Sequence, residues 1–221
     1  MGGTWRSLFK LHLFQNNHPV HIIHQYSVNR STLTKFVEKI SNFNKSKLKT
    51  VEYISKSRTQ YLPYSSIILN EIMTITNPKK ILCSISGLRE GSLSIDHLKN
   101  TKETEIFNKS IEYIASKRGD LGSTYQKYFK FILPVFDGNE HYNKKLLYLA
   151  CVLSHMDWGL GAFQKAELVF QETLNTPLLR LTHKERIQLA LSCYWRYCSI
   201  KYNPKFEYLT FLNNNEIFSS K

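Results

Sequence analysis

An α/β region followed by an all-helical one is the fold class this sequence predicts, with the change near residue 98. Three observations carry it. Up to that point, apolar runs of helical period are interleaved with short β-favouring runs. Beyond Leu98 only the helical spacing continues. The chain of 221 residues is 42% hydrophobic and 21% charged, the make-up of a globular protein with apolar material enough for a real core. The expected organisation is an α/β part over 1–98, a helical part over 99–212 and a polar, frayed tail over 213–221.

The first element is a helix, with Trp5, Leu8, Phe9 and Leu13 at helical spacing. Gly2-Gly3-Thr4 stands at its N-terminus. Asn16-Asn17-His18-Pro19 is a turn, and Val20 to Tyr26 reads as an extended strand. Leu33, Phe36, Val37 and Ile40 mark an amphipathic helix beginning near Ser31. Asn42 to Thr50 is a polar, lysine-rich linker. A further helix starts near Pro63, a residue suited to a first turn, and runs through Ile68, Ile72 and Ile75 to Asn77-Pro78. Ile81 to Ile85 is a β-favouring run that stops at Gly87 and suits a buried strand.

In the second part, one helix carries Ile106, Phe107, Ile111 and Ile114 and closes at Gly119. The next carries Leu121, Tyr125, Tyr128, Phe129 and Ile132 and stops at Pro134. After the turn Asp137-Gly138-Asn139 come an apolar helix from about Tyr142 to Trp158 and another from Phe163 to Leu174. The last begins at Thr182, where Glu185 stands three residues on, the spacing of a capping box.

The net charge of +13 favours an anionic partner: polyphosphate, nucleotide, nucleic acid or an acidic membrane. Compositional drift toward lysine competes as an explanation for its size. No stretch is long and apolar enough to span a bilayer, and no basic-aromatic nucleic-acid module is present, so membrane and nucleic-acid functions are not expected. Cys83, Cys151, Cys193 and Cys198 sit in apolar segments without a CxxC pair. Cys193 and Cys198 lie roughly 140° apart on a helix. Buried, reduced thiols in a cytoplasmic protein are expected.

The stretch Lys79 to Gly91, KKILCSISGLREG, is the strongest local candidate for a site. Gly87 and Gly91 bracket Leu88-Arg89-Glu90 just past the predicted strand, where ligands of open α/β sheets bind. An arginine held there meets phosphate well; an Arg-Glu pair that only ties down a loop is the competing reading. Gly2, Gly3 and Thr4 make a second anion position: bare N–H groups, a hydroxyl and the positive end of a helix dipole. His12, His18, His21 and His24 invite a metal, but His21 and His24 point to opposite faces of a strand and no carboxylate is near in sequence. His155 and Asp157, two apart on a helix, face roughly 200° apart and do not share an ion. Asp120-Leu121-Gly122-Ser123-Thr124 has the look of a phosphate loop but comes after Ser116-Lys117-Arg118-Gly119 and not after a strand, so a turn between helices is expected.

GGTWRSLFKLH, HPVHIIHQYSV, SRTQYLP, SISGLREGSL, LACVLSHMDW and HKERIQLALSCYWRY occur in an order that resembles the exopolyphosphatase / guanosine pentaphosphate phosphohydrolase (Ppx/GppA) family, in particular its alphaproteobacterial branch. The likeness runs from Gly2 to about Tyr202. It implies the C-terminal part of an actin-like ATPase (ribonuclease H-like) α/β domain, followed by a helical HD-like domain. It implies that Gly2, Gly3, Thr4 and Arg6 belong to the family's phosphate-contacting signature and that Arg58, Gly87, Arg89, Glu90 and Gly91 lie in its active cleft. It implies Mg²⁺ as the cofactor of the intact family and removal of a terminal phosphate from polyphosphate or guanosine pentaphosphate.

The family's first domain, its phosphate loop and its catalytic Glu have no counterpart in this sequence. Only the C-terminal portion is therefore expected, with no catalytic residue and no metal ligand of its own. Ser154-His155-Met156-Asp157-Trp158 and Gly161 to Lys165 depart from the family's pattern in the helical half, while His183, Arg186 and Arg196 fit it. Expected partners are polyphosphate or guanosine penta- or tetraphosphate, and a separately encoded N-terminal half or a second copy. The alternative is a non-enzymatic module that binds polyphosphate or an alarmone.

Overall fold

Leu8, Phe9, Leu11 and Leu13 of the first helix, α1 (Gly2–Gln15), are buried in one apolar core with Leu33, Val37, Ile40, Leu62, Leu69 and Met73. The computed structural model describes residues 2–49, 51–92, 103–117, 124–136, 143–153, 161–178, 181–199, 207–218 and 220. They belong to two units, Met1–Asp96 and His97–Lys221, each with an apolar core of its own.

In unit 1 the chain continues through β1 (Ser27–Asn29), α2 (Arg30–Ser41), α3 (Lys45–Lys49), α4 (Lys56–Thr59), α5 (Leu62–Thr76) and β2 (Lys80–Leu82). The expected faces of α2 hold: Leu33, Phe36, Val37 and Ile40 are all buried. Pro63 falls in the first turn of α5, and Asn77 ends it in the left-handed region at φ 44°. Residues 42–50, expected as a linker, contain α3, whose first turn is held by Asn44 Oδ1 accepting from the Lys47 N–H at 3.0 Å.

The strands depart most from expectation. β1 and β2 form an antiparallel ribbon of two strands, with Val28 opposite Ile81. Val20 to Tyr26, expected as a strand, is irregular. The ladder ends where Gln25 N–H and Tyr26 C=O both bond to Cys83, two residues against one, with Gln25 at φ 63°. That is a bulge, and it turns the preceding residues out of the ladder. β2 is three residues, not five, and it is not buried: Leu82 is 55% exposed, while Cys83 beside it is buried.

His12, which reads in the sequence as structural or incidental and not as a metal ligand, is buried with Tyr26. Its Nδ1 lies 2.9 Å from the Tyr26 hydroxyl, its ring packs edge-on to Phe36, and His18 packs on the other side of Tyr26. Phe14 stacks on Tyr53 at 4.0 Å.

Unit 2 is helical: α6 (Glu103–Lys117), α7 (Thr124–Ile132), α8 (Lys144–Leu153), α9 (Ala162–Asn175), α10 (His183–Trp195) and α11 (Asn214–Phe218), with 3-10 turns at Leu133–Phe136 and Glu207–Phe211. The capping box forms as the spacing predicts: Glu185 N–H donates to Thr182 Oγ1, and Thr182 N–H to Glu185 Oε2 at 2.8 Å. Arg186 is fully buried and donates to the carbonyls of Leu174, Thr176 and Leu178, so it fastens the α9–α10 connection from inside. Burial pushes its guanidinium down to about 10. Hydrogen bonds from a charged donor contribute about 1.5–3 kcal/mol each, which makes Arg186 a structural staple. The described residues of the tail, 213–218 and 220, carry contacts of their own. Glu216 and Asn213 cap one another, Lys184 reaches Glu216 at 3.2 Å, and Leu212 and Ser220 are buried. Asp120-Leu121-Gly122-Ser123, Asp137-Gly138-Asn139, His155 and Asp157 lie outside the described residues.

His12 and His18 give unit 1 a signed pH dependence. Burial lowers both pKa values below 6.5, His12 also through His18 and His18 also through His21. The unfolded chain then takes up protons first, so stability is complete above about 6.5 and is lost as pH falls through it. Urea midpoints measured at pH 7.5 and 5.5 should show a drop in the wild type and a clearly smaller drop in a His12→Phe, His18→Asn double variant. An equal drop in both would show that other groups set the slope.

Candidate phosphate site of unit 1

α1 starts at Gly2, so Gly2, Gly3 and Thr4 form the first turn of a helix and not a loop before one. Their N–H groups are the ones a helix leaves without internal partners. Arg58, on α4, lies against this turn: a Cβ added to Gly3 would sit 3.6 Å from the Arg58 Cζ. Any side chain longer than alanine's at Gly3 would compete with the guanidinium for that space.

Arg6, one turn further along α1, reaches in two directions. Its Nε donates to the Gly2 carbonyl at 3.2 Å and its Nη1 donates to the carbonyl of Ile85. On the same residue, the Ile85 N–H donates to His24 Nδ1 at 3.5 Å. Ile85 is thus held by both backbone groups, from α1 on one side and from the buried His24 on the other. Trp5 Nε1 donates to the Ser65 carbonyl at 3.1 Å and fixes α1 against α5.

Beyond Ile85 the chain does not form the sharply turning loop that its two glycines suggest. Residues 88–92 are helical, with Gly87 directly before them and Gly91 inside, where its N–H donates to the Gly87 carbonyl at 3.0 Å. Glu90 folds back so that its Oε2 accepts from the Gly87 N–H at 2.6 Å, the reach of an N3 carboxylate to an N-cap. Gly87 suits this position, since a Cβ there would come within 3.2 Å of that carboxylate oxygen. Its own backbone N–H and that of Gly87 hold Glu90 below the ordinary carboxylate range, with Arg6 and Arg89 adding to the effect. Arg89 and Leu88 are exposed.

The expected residues therefore separate into groups. Gly2, Gly3, Arg6 and Arg58 meet at the start of α1, and Arg6 joins them to Gly87, Arg89 and Glu90. Thr4 is half-buried in the same turn. Gly91 has open space around it and serves only as a helical position. His24, weighed in the sequence only as one of four histidines that invite a metal, meets Ile85 instead, a partner 61 residues away that leaves no local mark.

The donors are three guanidinium groups and helix N-terminal N–H groups, and they suit an anion. They do not suit Mg²⁺, which takes oxygen ligands. Glu90 is the site's carboxylate, it is committed to the Gly87 N–H, and no group of three or more His, Cys, Asp or Glu side chains able to hold a metal ion exists among the described residues. No helix among the described residues is long and apolar enough to cross a membrane.

Residues 2–100 match the model of the Ppx/GppA phosphatase family, a span that covers unit 1 from Gly2 and runs a few residues into unit 2. No curated protein matches the chain.

The depressed pKa of Glu90 gives a direct test of the Arg6 bridge. The cap is intact above the ordinary value of 4.5 and is lost as pH falls through the lower folded value. Arg6→Ala removes a neighbouring cation and frees Ile85, so an NMR titration should place the Glu90 carboxyl closer to 4.5 than in the wild type. An unmoved titration would mean that Arg6 does not stand beside Glu90.

Proposed function

We propose that unit 1 supplies one wall of the cleft of a Ppx/GppA-type phosphohydrolase, that it holds the terminal phosphates of polyphosphate or of guanosine penta- or tetraphosphate, and that this chain alone does not hydrolyse them. The observation that carries this is that two guanidinium groups lie against the first turn of α1, Arg6 on the Gly2 carbonyl and Arg58 beside Gly3. Guanidinium groups match phosphate oxygens bidentately, and a helix N-terminus adds oriented N–H donors. In this reading the chain is the C-terminal portion of the family's cytoplasmic fold. An α/β wall of the actin-like kind is followed by an HD-like helical domain, and the facing wall comes from a separately encoded N-terminal half or a second copy.

Hydrolysis needs a base that orients water, besides groups that stabilise the transferring phosphoryl. Glu90 is a poor candidate, because a carboxylate with a lowered pKa and a bound N–H is a weak base. That same observation favours the second reading, a non-enzymatic module that binds polyphosphate or an alarmone. Nucleic acid is not the expected ligand, since the sequence carries no recognised basic-aromatic nucleic-acid module.

Calorimetric titration with tripolyphosphate should show binding that weakens steeply with salt. Arg58→Ala and Arg89→Ala should each weaken it about tenfold, the loss of one charged hydrogen-bonding partner. Glu90→Gln should tighten it. A second basic concavity, lined by Arg30, Lys35 and Lys79, is the control surface: if those residues and not Arg58 and Arg89 set the affinity, the site is misplaced. Brisk Mg²⁺-dependent phosphate release by the purified chain would overturn the claim that it is inactive alone.

A further inference from the structure

Unit 2 holds a cavity that the anion site of unit 1 does not use. Its volume is about 300 Å³, and it opens where α7 and α10 both pack on α8. Ile132 lines it from α7, and Leu147, Ala150 and Cys151 line it from α8. Ile132, Leu147 and Ala150 are only half-buried, so the core of unit 2 leaves part of their apolar surface open. Cys151 is buried, and burial pushes its thiol up to about 11. The sulfur is therefore uncharged at neutral pH and acts as one more apolar wall, not as a nucleophile.

Polar groups are few, which is the make-up of a small-ligand pocket. Ser192 lines the cavity from α10, but its hydroxyl donates to the Gln188 carbonyl at 3.1 Å. Arg196, directly after α10, is the one charged residue among the described residues of the lining. Its guanidinium lies 5.7 Å from the centroid of the Tyr197 ring, and its charge acts on the Cys151 thiol. An exposed cation thus stands within electrostatic reach of the apolar walls.

That combination selects a ligand. A bare phosphate or polyphosphate would lose water against these walls without donors to replace it. An alkylamine would meet a like charge. An aliphatic chain ending in a carboxylate suits both halves, since methylenes displace water from the walls and a guanidinium pairs well with a carboxylate. At the ~30 Å³ that a water occupies in the liquid, the cavity holds about ten non-hydrogen atoms, the size of octanoate. We propose that unit 2 binds a medium-chain aliphatic monocarboxylate in this cavity, its carboxylate on Arg196 and its chain against Ile132, Leu147, Ala150 and Cys151. The Tyr128 hydroxyl is a further donor on the lining. This site is independent of the phosphate reading of unit 1, and either can fail without the other.

Calorimetric titration of the full chain with octanoate should give saturable binding with a submillimolar Kd, and octylamine should give none. Arg196→Gln, at an exposed position, should weaken octanoate about tenfold, the loss of one charged partner. Ala150→Phe, which places a ring in the cavity, should abolish binding. In the wild type, octanoate should slow alkylation of Cys151 by N-ethylmaleimide several-fold and leave Cys83, in unit 1, unchanged. Tripolyphosphate should not displace octanoate. The proposal is overturned by an absence of saturable binding, by octylamine binding as tightly, by an Arg196→Gln variant of unchanged affinity, or by unprotected Cys151. A chain that binds tripolyphosphate and ignores octanoate overturns this site alone and leaves the phosphate reading standing.

Discussion

The hold on Ile85 is the constraint on which the site depends. Its carbonyl takes the Arg6 guanidinium and its N–H meets His24, so the backbone after β2 has one place to go. A two-stranded ribbon is marginal as a platform, and β2 is only three residues long. The 88–92 segment is therefore positioned less by the sheet than by side chains that arrive from α1 and from the buried turn before β1. Arg6 serves twice, since its other arm closes the first turn of α1 through the Gly2 carbonyl. Loss of that one guanidinium would remove the bridge between the start of α1 and Ile85.

Charge is arranged around the same point. Arg58 lies against the first turn of α1, Arg6 and Arg89 act on the Glu90 carboxylate, and Glu90 accepts from the Gly87 N–H at the start of the 88–92 helix. An internal carboxylate of this kind keeps the cap ordered and sets a threshold that an incoming phosphate must exceed. A phosphate carries more charge and more acceptor oxygens than a carboxylate, so it competes on favourable terms. The cost is that Glu90 is unsuited to proton abstraction.

Local features were legible in the sequence and long-range ones were not. The stripe Leu33, Phe36, Val37, Ile40 gave α2 and its inner face, and Pro63 with Asn77 gave both ends of α5. Periodicity did not say which of two apolar faces of α5 turns inward. Ser65 and Ser66 are in the core because Trp5 bonds to the Ser65 carbonyl and brings α1 onto that side, leaving Ile68, Ile72 and Ile75 outside. Val20 to Tyr26 has strand composition, but a bulge opposite Cys83 stops the ladder short of it. The tail reads as polar and loose, yet Glu216 finds Lys184 and Asn213. Gly87, Arg89 and Glu90 were identifiable as a chemical cluster from their spacing. That Arg6, 79 residues away, holds Ile85 was not.

The central claim is that anions bind where the start of α1 and residues 85–91 meet. Hydrogen exchange with and without tripolyphosphate tests it most directly. Ligand should slow exchange at the first turn of α1 and across 85–91 in the wild type, and Arg6→Ala should abolish the slowing at 85–91 while leaving the α2 and α5 amides unchanged. Protection confined to the lysine-rich segment around α3 or to the Arg30–Lys79 concavity, with 85–91 unaffected, would contradict the account.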